Sequence, residues 1–338
     1  MAQRRKASTF YDLPGLFDDI EPRVAEPDPL QEAMEEQRRK NRVVTGDVTD
    51  IVENIERPRQ LQFISFGSGS SGNSSYIGVA GEGGVIIDAG IDAQKVTDEL
   101  KKNCIPLEGV YGIVLTHDHS DHVRYTYPLL RRLPKVPLFC TPRTLAGILR
   151  RHSISKRIKE YHKPIFKEFS FEAGPFTITP FETSHDGSDN VGFSITVGNR
   201  NFVIATDMGA ITERADHYIR QANYLMMEAN YDARMLEVGR YPEYLKARIR
   251  SDIGHLDNTV TASYLAEHWA DHLTDIYLCH LSQDNNTPEI ALKAVKDALQ
   301  AKGITVGDDS GSFESLRAQV RVSVLPRFDA TPLYIHRL

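Results

Sequence analysis

The sequence predicts an α/β protein in which two β-sheets are packed between helical layers. Three observations carry this. Short β-rich runs open each half of the chain and helical segments follow, an order that two sheets with helices on their outer faces satisfy. The chain has 338 residues, 41% of them hydrophobic, enough for one large core or two smaller ones. Metal-capable side chains recur at the C-terminal ends of apolar β runs, where a site at a sheet edge would lie.

From Leu61 the runs "LQFISF", "SYIGVA" and "GVIIDAG" are separated by glycine and serine and read as a meander. A helix is expected over 93–102, then the strand "YGIVLT", then helices over 123–133 and 144–152. The second half opens with the β runs "FTITPFETSH", "VGFSITVG" and "NFVIATD". Segments then alternate: helix 211–221, strand "NYLMMEA", helices 241–250 and 259–269, strand "DIYLCH" and helix 288–300. No short internal repeat is visible.

Residues 1–58 differ from the rest. "EPRVAEPDPLQEAMEEQRRKNR" is rich in proline and charge, so a flexible N-terminal extension is expected ahead of a single domain over 59–338. Residues 29–42 could form a helix, but one polar all round packs weakly. The extension holds one apolar cluster, Phe10, Tyr11, Leu13, Leu16, Phe17 and Ile20. It is either a tail tucked onto its own domain or a short peptide that docks a protein partner.

Composition narrows the function classes. A formal net charge of -6 excludes a general nucleic-acid sponge and leaves only local basic patches. Cys104, Cys140 and Cys279 are far apart, with no CxxC, which points away from a disulfide framework and towards a reducing cytoplasm. No apolar segment follows the basic N-terminus, and no run approaches the roughly 18 apolar residues of a membrane span. A soluble, cytoplasmic protein without membrane contact is expected.

The stretch "GIVLTHDHSDHV" concentrates the chemistry. In an extended segment residues two apart point the same way, so His117 and His119 can converge on one ion. Asp121 and His122 lie just beyond and can face a second ion. Imidazole and carboxylate together suit zinc, manganese or iron better than calcium or magnesium. Further donors end three later β runs: His185, Asp207 and His280. Asp207 could instead be the N-cap of the helix after it.

The pattern His117-x-His119-x-Asp121-His122, then His185, Asp207 and His280, resembles the metallo-β-lactamase superfamily. The resemblance implies a four-layer αββα sandwich with two divalent ions, Zn2+ or Mn2+. It implies His117, His119 and His185 on the first metal, Asp121, His122 and His280 on the second, and Asp207 bridging. "FGSGSSGNSSYI", "TSHDGSDNVGF", "EANYDARMLEVGRYPEYLKARI", "GHLDN" and "HLSQDNN" are similar to the YycJ/WalJ-type branch, from about Leu61 to the C-terminus. That similarity implies a 5′→3′ exonuclease on DNA. A histidine is expected in that branch at position 231, where this chain has Tyr231. The interval between Asp207 and His280 is too short for a large inserted domain.

Two adjacent divalent ions acidify a bridging water and neutralise charge on the attacked centre, so a hydroxide bridging the metals is the expected nucleophile, with Asp121 and Asp207 as the catalytic carboxylates. His255 in "DIGHLDN" either reaches the scissile phosphate and the leaving group or is a surface histidine flanking a helix. "SGSSGNSS", residues 68–75, either cradles a phosphate through Ser71 and Asn73 or is an ordinary turn. "RRHSISKRIKEYHK", residues 150–163, either tracks a nucleic-acid backbone or is a solvated helix face. A binuclear phosphodiesterase acting on DNA is the leading expectation. A small-molecule hydrolase of the same fold, such as a lactonase or thioesterase, is the first alternative. A non-catalytic metal-binding scaffold is the second, and the full ligand set argues against it.

Overall fold

In the computed structural model, residues 59–133 and 135–338 are described. The expected N-terminal extension, its helix over 29–42 and its apolar cluster lie outside the described residues.

The strands in chain order are β1 (Gln60–Gly67), β2 (Ser74–Val79), β3 (Gly83–Ile87), β4 (Val110–Val114), β5 (Leu138–Cys140), β6 (His162–Pro164), β7 (Phe171–Ala173), β8 (Phe176–Glu182), β9 (Val191–Val197), β10 (Arg200–Ala205), β11 (Tyr224–Glu228), β12 (Asp275–Cys279), β13 (Val306–Gly307), β14 (Val320–Val324) and β15 (Tyr334–Arg337). They form two sheets, ordered β15-β1-β2-β3-β4-β5-β6 and β13-β14-β12-β11-β10-β9-β8-β7. The meander β1–β3 is antiparallel, and β3 to β6 pair parallel. In the second sheet β7 to β10 are antiparallel, and β10, β11, β12 and β14 run parallel.

Three apolar layers hold the sandwich together. Phe63, Ile77, Val85, Phe176, Phe193, Phe202 and Tyr277 fill the space between the sheets. Ile64, Ile86 and Ile113 on the outer face of the first sheet pack on helices Ala93–Lys102 and Thr126–Arg132 through Val96, Leu100, Leu129 and Leu130. Val203, Leu225 and Ile276 on the outer face of the second pack on Leu265, Val295 and Leu299 of helices Asn258–His268 and Pro288–Ala301. This alternation of sides along each strand produces the αββα order that the sequence predicts. No helix among the described residues is long and apolar enough to cross a membrane.

The helix expected over 93–102 is observed at those bounds, with Asp92 accepting from the backbone N–H of Gln94 and Lys95. The helix expected over 123–133 is two pieces, Ser120–Val123 and Thr126–Arg132. β5, β6 and β7 are three residues each, too short to show a period, and they were not expected. β15 is an edge strand whose partner, β1, lies at the other end of the described chain. The run 150–163 is not one helix face. It divides between the end of helix Pro142–Arg151 and a 3-10 turn over Lys156–Glu160.

Candidate metal centre

Parallel strands deliver their C-terminal ends to one edge, and the donors follow directly. The loop after β4 carries His117 and His119, Asp207 follows β10, and His280 follows β12. The short helix Ser120–Val123 carries Asp121 and His122, and the loop after β8 carries His185. Asp88, Asp207 and His280 each adopt a left-handed backbone conformation, with φ of 56°, 53° and 55°. That conformation costs a non-glycine residue about 1–3 kcal/mol and is retained at sites where the surroundings enforce it. The DAG turn after β3 approaches the motif so closely that a Cβ on Gly90 would lie 1.5 Å from the Asp121 carbonyl oxygen. Glycine is required there by contact.

The seven expected donors converge. The donor atoms of His117, His119 and His185 lie within 4.8 Å of one another, as do those of Asp121, His122 and His280, and those of His117, His122 and Asp207. His119 Nδ1 is 3.2 Å from His185 Nε2, and His280 Nε2 is 3.3 Å from Asp121 Oδ2. Asp207 stands between the two groups: Oδ2 is 3.3 Å from His122 Nε2, and Oδ1 is 3.5 Å from His280 Nε2 and 3.7 Å from His185 Nε2. Asp207 is not a helix cap; Thr212 caps the helix Glu213–Ile219. Asp118, between the first two histidines, points away and accepts from Ser188 N–H at 2.8 Å.

The cluster fits divalent metal on its own geometry. His117 Nε2 is fully buried and has no hydrogen-bond partner, a costly state for a polar atom unless a cation completes it. Electrostatics agree. Burial pushes the His117 imidazole well below its ordinary range and takes His119 down to about 4, so both present lone pairs at neutral pH. Burial works to raise the Asp207 carboxyl, but His280, His122, His117 and His185 outweigh it and hold Asp207 well below the usual carboxylate range. Burial opposes charge on His122 too, yet Asp207, Asp88 and Asp121 raise it to about 9.

Residues behind the donors orient them. His122 Nδ1 is 2.7 Å from Asp88 Oδ2, His117 Nδ1 is 3.0 Å from Thr116 Oγ1, and His185 Nδ1 is 2.9 Å from the Gly254 carbonyl. Asp186 Oδ1 is 3.3 Å from His119 Nε2, and its other oxygen accepts from Arg248 Nε at 2.6 Å. Glu228, the last residue of β11, is fully buried. Its Oε1 lies 2.7 Å from His255 Nδ1 and 3.0 Å from His280 Nδ1, and its Oε2 accepts from the N–H of Met208 and Leu256. Both its oxygens are therefore engaged, so Glu228 buttresses the histidines although it is near enough to group with them. Asp88, Asp186 and Glu228 escaped the sequence reading. Asp88 and Glu228 carried the signal that marked Asp207: an acid at the end of an apolar β run.

The structure brings His255 to the rim. Its ring packs 4.9 Å from that of His185 and 5.2 Å from that of His280, and its Nδ1 is 4.0 Å from Asp207 Oδ1. Its side chain keeps 17% exposure, so it is not a free surface histidine. Asn73 also faces the centre, with Nδ2 3.0 Å from His122 Nε2 and 3.2 Å from Asp121 Oδ2. Ser71 Oγ is buried with no partner. Tyr231 packs with Leu236 and Ile249 in a small apolar cluster.

A family model described as the beta-lactamase superfamily domain matches residues 84–281, more than half of the chain. The chain belongs to the metallo-β-lactamase superfamily. Within this superfamily it is 34% identical to a Bacillus anthracis protein named exodeoxyribonuclease YycJ, over 73% of this chain and 92% of that one. It is 31% identical to exodeoxyribonuclease WalJ of Streptococcus pneumoniae serotype 2, over 73% of this chain and 91% of that one. These relatives put it in the YycJ/WalJ branch. The metallo-β-lactamase fold protein YhfI of Bacillus subtilis superposes with a TM-score of 0.57 at 16% identity, covering 82% of this chain and all of that one, a likeness of fold. The chain is a metal-dependent hydrolase of that superfamily.

Proposed function

We propose that the chain is a binuclear metal-dependent exonuclease that hydrolyses DNA phosphodiesters in the 5′→3′ direction. The observation that carries the binuclear reading is Asp207, whose two oxygens reach towards both histidine groups. His117, His119 and His185 would hold the first ion, and Asp121, His122 and His280 the second, with zinc or manganese suiting this donor set. When bound, the pair supplies an acidified water and neutralises charge on the phosphate. DNA as substrate rests on the names of two relatives that align along nine-tenths of their length.

The chain's own residues do the rest. Glu228 accepts from His255 Nδ1 and holds the ring, and with a proton on both nitrogens the ring would donate from Nε2 to a phosphate oxygen or to the leaving oxygen. Asn73 Nδ2 donates to Asp121 Oδ2 and would hold that carboxylate in place, and the Gly/Ser loop would meet a phosphate oxygen through Ser71, whose Oγ has no partner in the protein.

The test is cleavage of 5′- and 3′-end-labelled DNA and RNA in zinc and in manganese, alongside lactone and thioester substrates. Stepwise release from the 5′ end of DNA is expected. His255→Ala should keep both metals and lose at least tenfold in single-turnover rate, because a positioned acid–base group is worth about 10²–10⁴-fold. Rapid lactone or thioester hydrolysis with no nuclease in either metal would replace this reading with the small-molecule one.

A further inference from the structure

The turn between β6 and β7, residues 165–170, inverts the usual order of polar and apolar groups. Phe166 is 55% exposed and Phe169 is 73% exposed. The two polar residues between them are turned to the protein. Lys167 Nζ pairs with Glu182 at 3.0 Å and with Asp189 at 2.9 Å. Glu168 accepts from Arg214 and from the Tyr218 hydroxyl at 2.8 Å, and it holds a left-handed φ of 68°. The backbone is braced as well: Ile165 N–H donates to the Cys140 carbonyl, Glu168 N–H to that of Pro180 and Phe169 N–H to that of Phe166. Ion pairs, backbone bonds and a strained residue thus hold two phenylalanines facing water on a fixed support. Core packing gives no reason for that arrangement.

The turn adjoins the metal centre. Asp189, which Lys167 holds, belongs to the loop 185–190 that carries His185. Helix Pro142–Arg151 meets the same loop: Thr144 Oγ1 donates to the Asp189 carbonyl at 3.1 Å, and Arg150 reaches Ser188 Oγ at 3.3 Å. Arg151 lies 3.4 Å from Asp118, inside the metal motif. In chain order exposed cations follow at Lys156, Lys159 and Lys163, the last of them three residues ahead of Phe166. None of these three lysines has an ion-pair partner among the described residues. Of the acids nearby, Glu160 pairs with Arg157, Glu168 with Arg214, and Glu182 and Asp189 with Lys167, whereas exposed Glu172 accepts only from the Thr177 hydroxyl among the described residues.

Resting on the nuclease reading, we propose that Phe166 and Phe169 are a stacking platform for unpaired bases. A single strand leaving the metal centre would run along the Arg150–Lys163 cations and lay its bases on the two rings. A base offers a π-face to an aromatic ring only when it is unpaired, whereas the cations attract any phosphate backbone. The platform therefore selects single strands or frayed ends over intact duplex.

The test uses full-length protein with metal bound and short phosphorothioate oligonucleotides that resist cleavage, read by fluorescence anisotropy. Phe166→Ala/Phe169→Ala should lose about tenfold or more in affinity for the single strand, since stacking on one aromatic residue is worth about that much. Affinity for a blunt duplex should change less than about twofold, and the salt dependence of single-strand binding should keep its slope, because no phosphate contact is removed. Phe166→Ala/Phe169→Trp should recover single-strand affinity relative to the double alanine variant. Melting temperature and metal content of the double variant serve as the check on folding. Unchanged single-strand affinity, or an equal loss on duplex, overturns the proposal. So does a shift in oligomeric state with single-strand affinity intact, which would assign the face to a second copy of the chain. Cleavage of unmodified end-labelled DNA by the unaltered protein, in zinc and in manganese, is measured in parallel. Its absence sinks the nuclease reading, and the anisotropy result still judges the platform.

Discussion

Glu228→Gln removes one charge from the centre and changes almost nothing in shape. The carboxylate is fully buried, and its oxygens face four groups: Nδ1 of His255 at 2.7 Å and of His280 at 3.0 Å, and the N–H of Met208 at 2.9 Å and of Leu256 at 3.3 Å. Burial acts to raise this carboxyl, but His255 and His280 outweigh it and bring it to about 2, so it is charged at neutral pH. An amide offers one acceptor oxygen and one donor NH2. If its oxygen serves the backbone pair, its NH2 confronts the two imidazole N–H groups; turned over, it confronts the two backbone groups. Two buried donors lose their acceptor either way, a cost of about 2–6 kcal/mol at about 1–3 kcal/mol each. The histidines can relieve this only by moving their protons to Nε2. On His280 that occupies the atom facing Asp121 and Asp207. The expected result is a lower urea midpoint together with metal affinity weakened about 10–100-fold in the half built on His280. Urea denaturation, elemental analysis and single-turnover cleavage read the three effects. A variant with the original midpoint, both metals and an undiminished rate would refute the orienting role of Glu228.

Three further outcomes are expected. Asp207→Ala should weaken binding of both ions, because the carboxylate between the two histidine groups no longer offsets two facing cations; full double occupancy by elemental analysis would remove the bridging assignment. Metal affinity should depend on pH in one half only. His122 holds its proton up to about 9 and His280 is raised well above its ordinary range, so protons compete there and affinity climbs as pH rises towards about 9, whereas His117 and His119 are already neutral and their half stays flat between about pH 6 and 9. Chelator competition across that range checks it, and equal slopes in the two halves would contradict it. Deleting residues 1–55 should leave metal content and turnover on a short oligonucleotide nearly unchanged, because all seven proposed metal donors lie between His117 and His280. Loss of metal on truncation would put that segment inside the folded domain.

The run His117 to His122 was legible because a cluster of donors after an apolar strand has few other uses, and His185, Asp207 and His280 were legible because each ends such a run. The two-sheet architecture could be read from the order of β and helical segments. The same strand-end signal was present at Asp88 and Glu228 and went unread, since a single buried acid does not reveal whether it meets a metal or a histidine. The rim position of His255 depended on packing against His185 and His280, residues 70 and 25 positions away in the chain by numbering. The fragment strands β5 to β7 were invisible because three residues carry no period.

By itself the sequence determined which residue types are available for metal and where strands stop, because local propensity and hydrophobic periodicity act over a few neighbours. Tertiary structure alone decided which oxygen of Asp207 faces which histidine, that Glu228 serves two imidazoles at once, and that Phe166 and Phe169 face water while Lys167 and Glu168 are held. Those outcomes turn on side-chain direction at left-handed strand ends and on partners drawn from both sheets. They are settled by the packing of the whole sandwich, where every buried polar group must find its partner, and no window of sequence contains that condition.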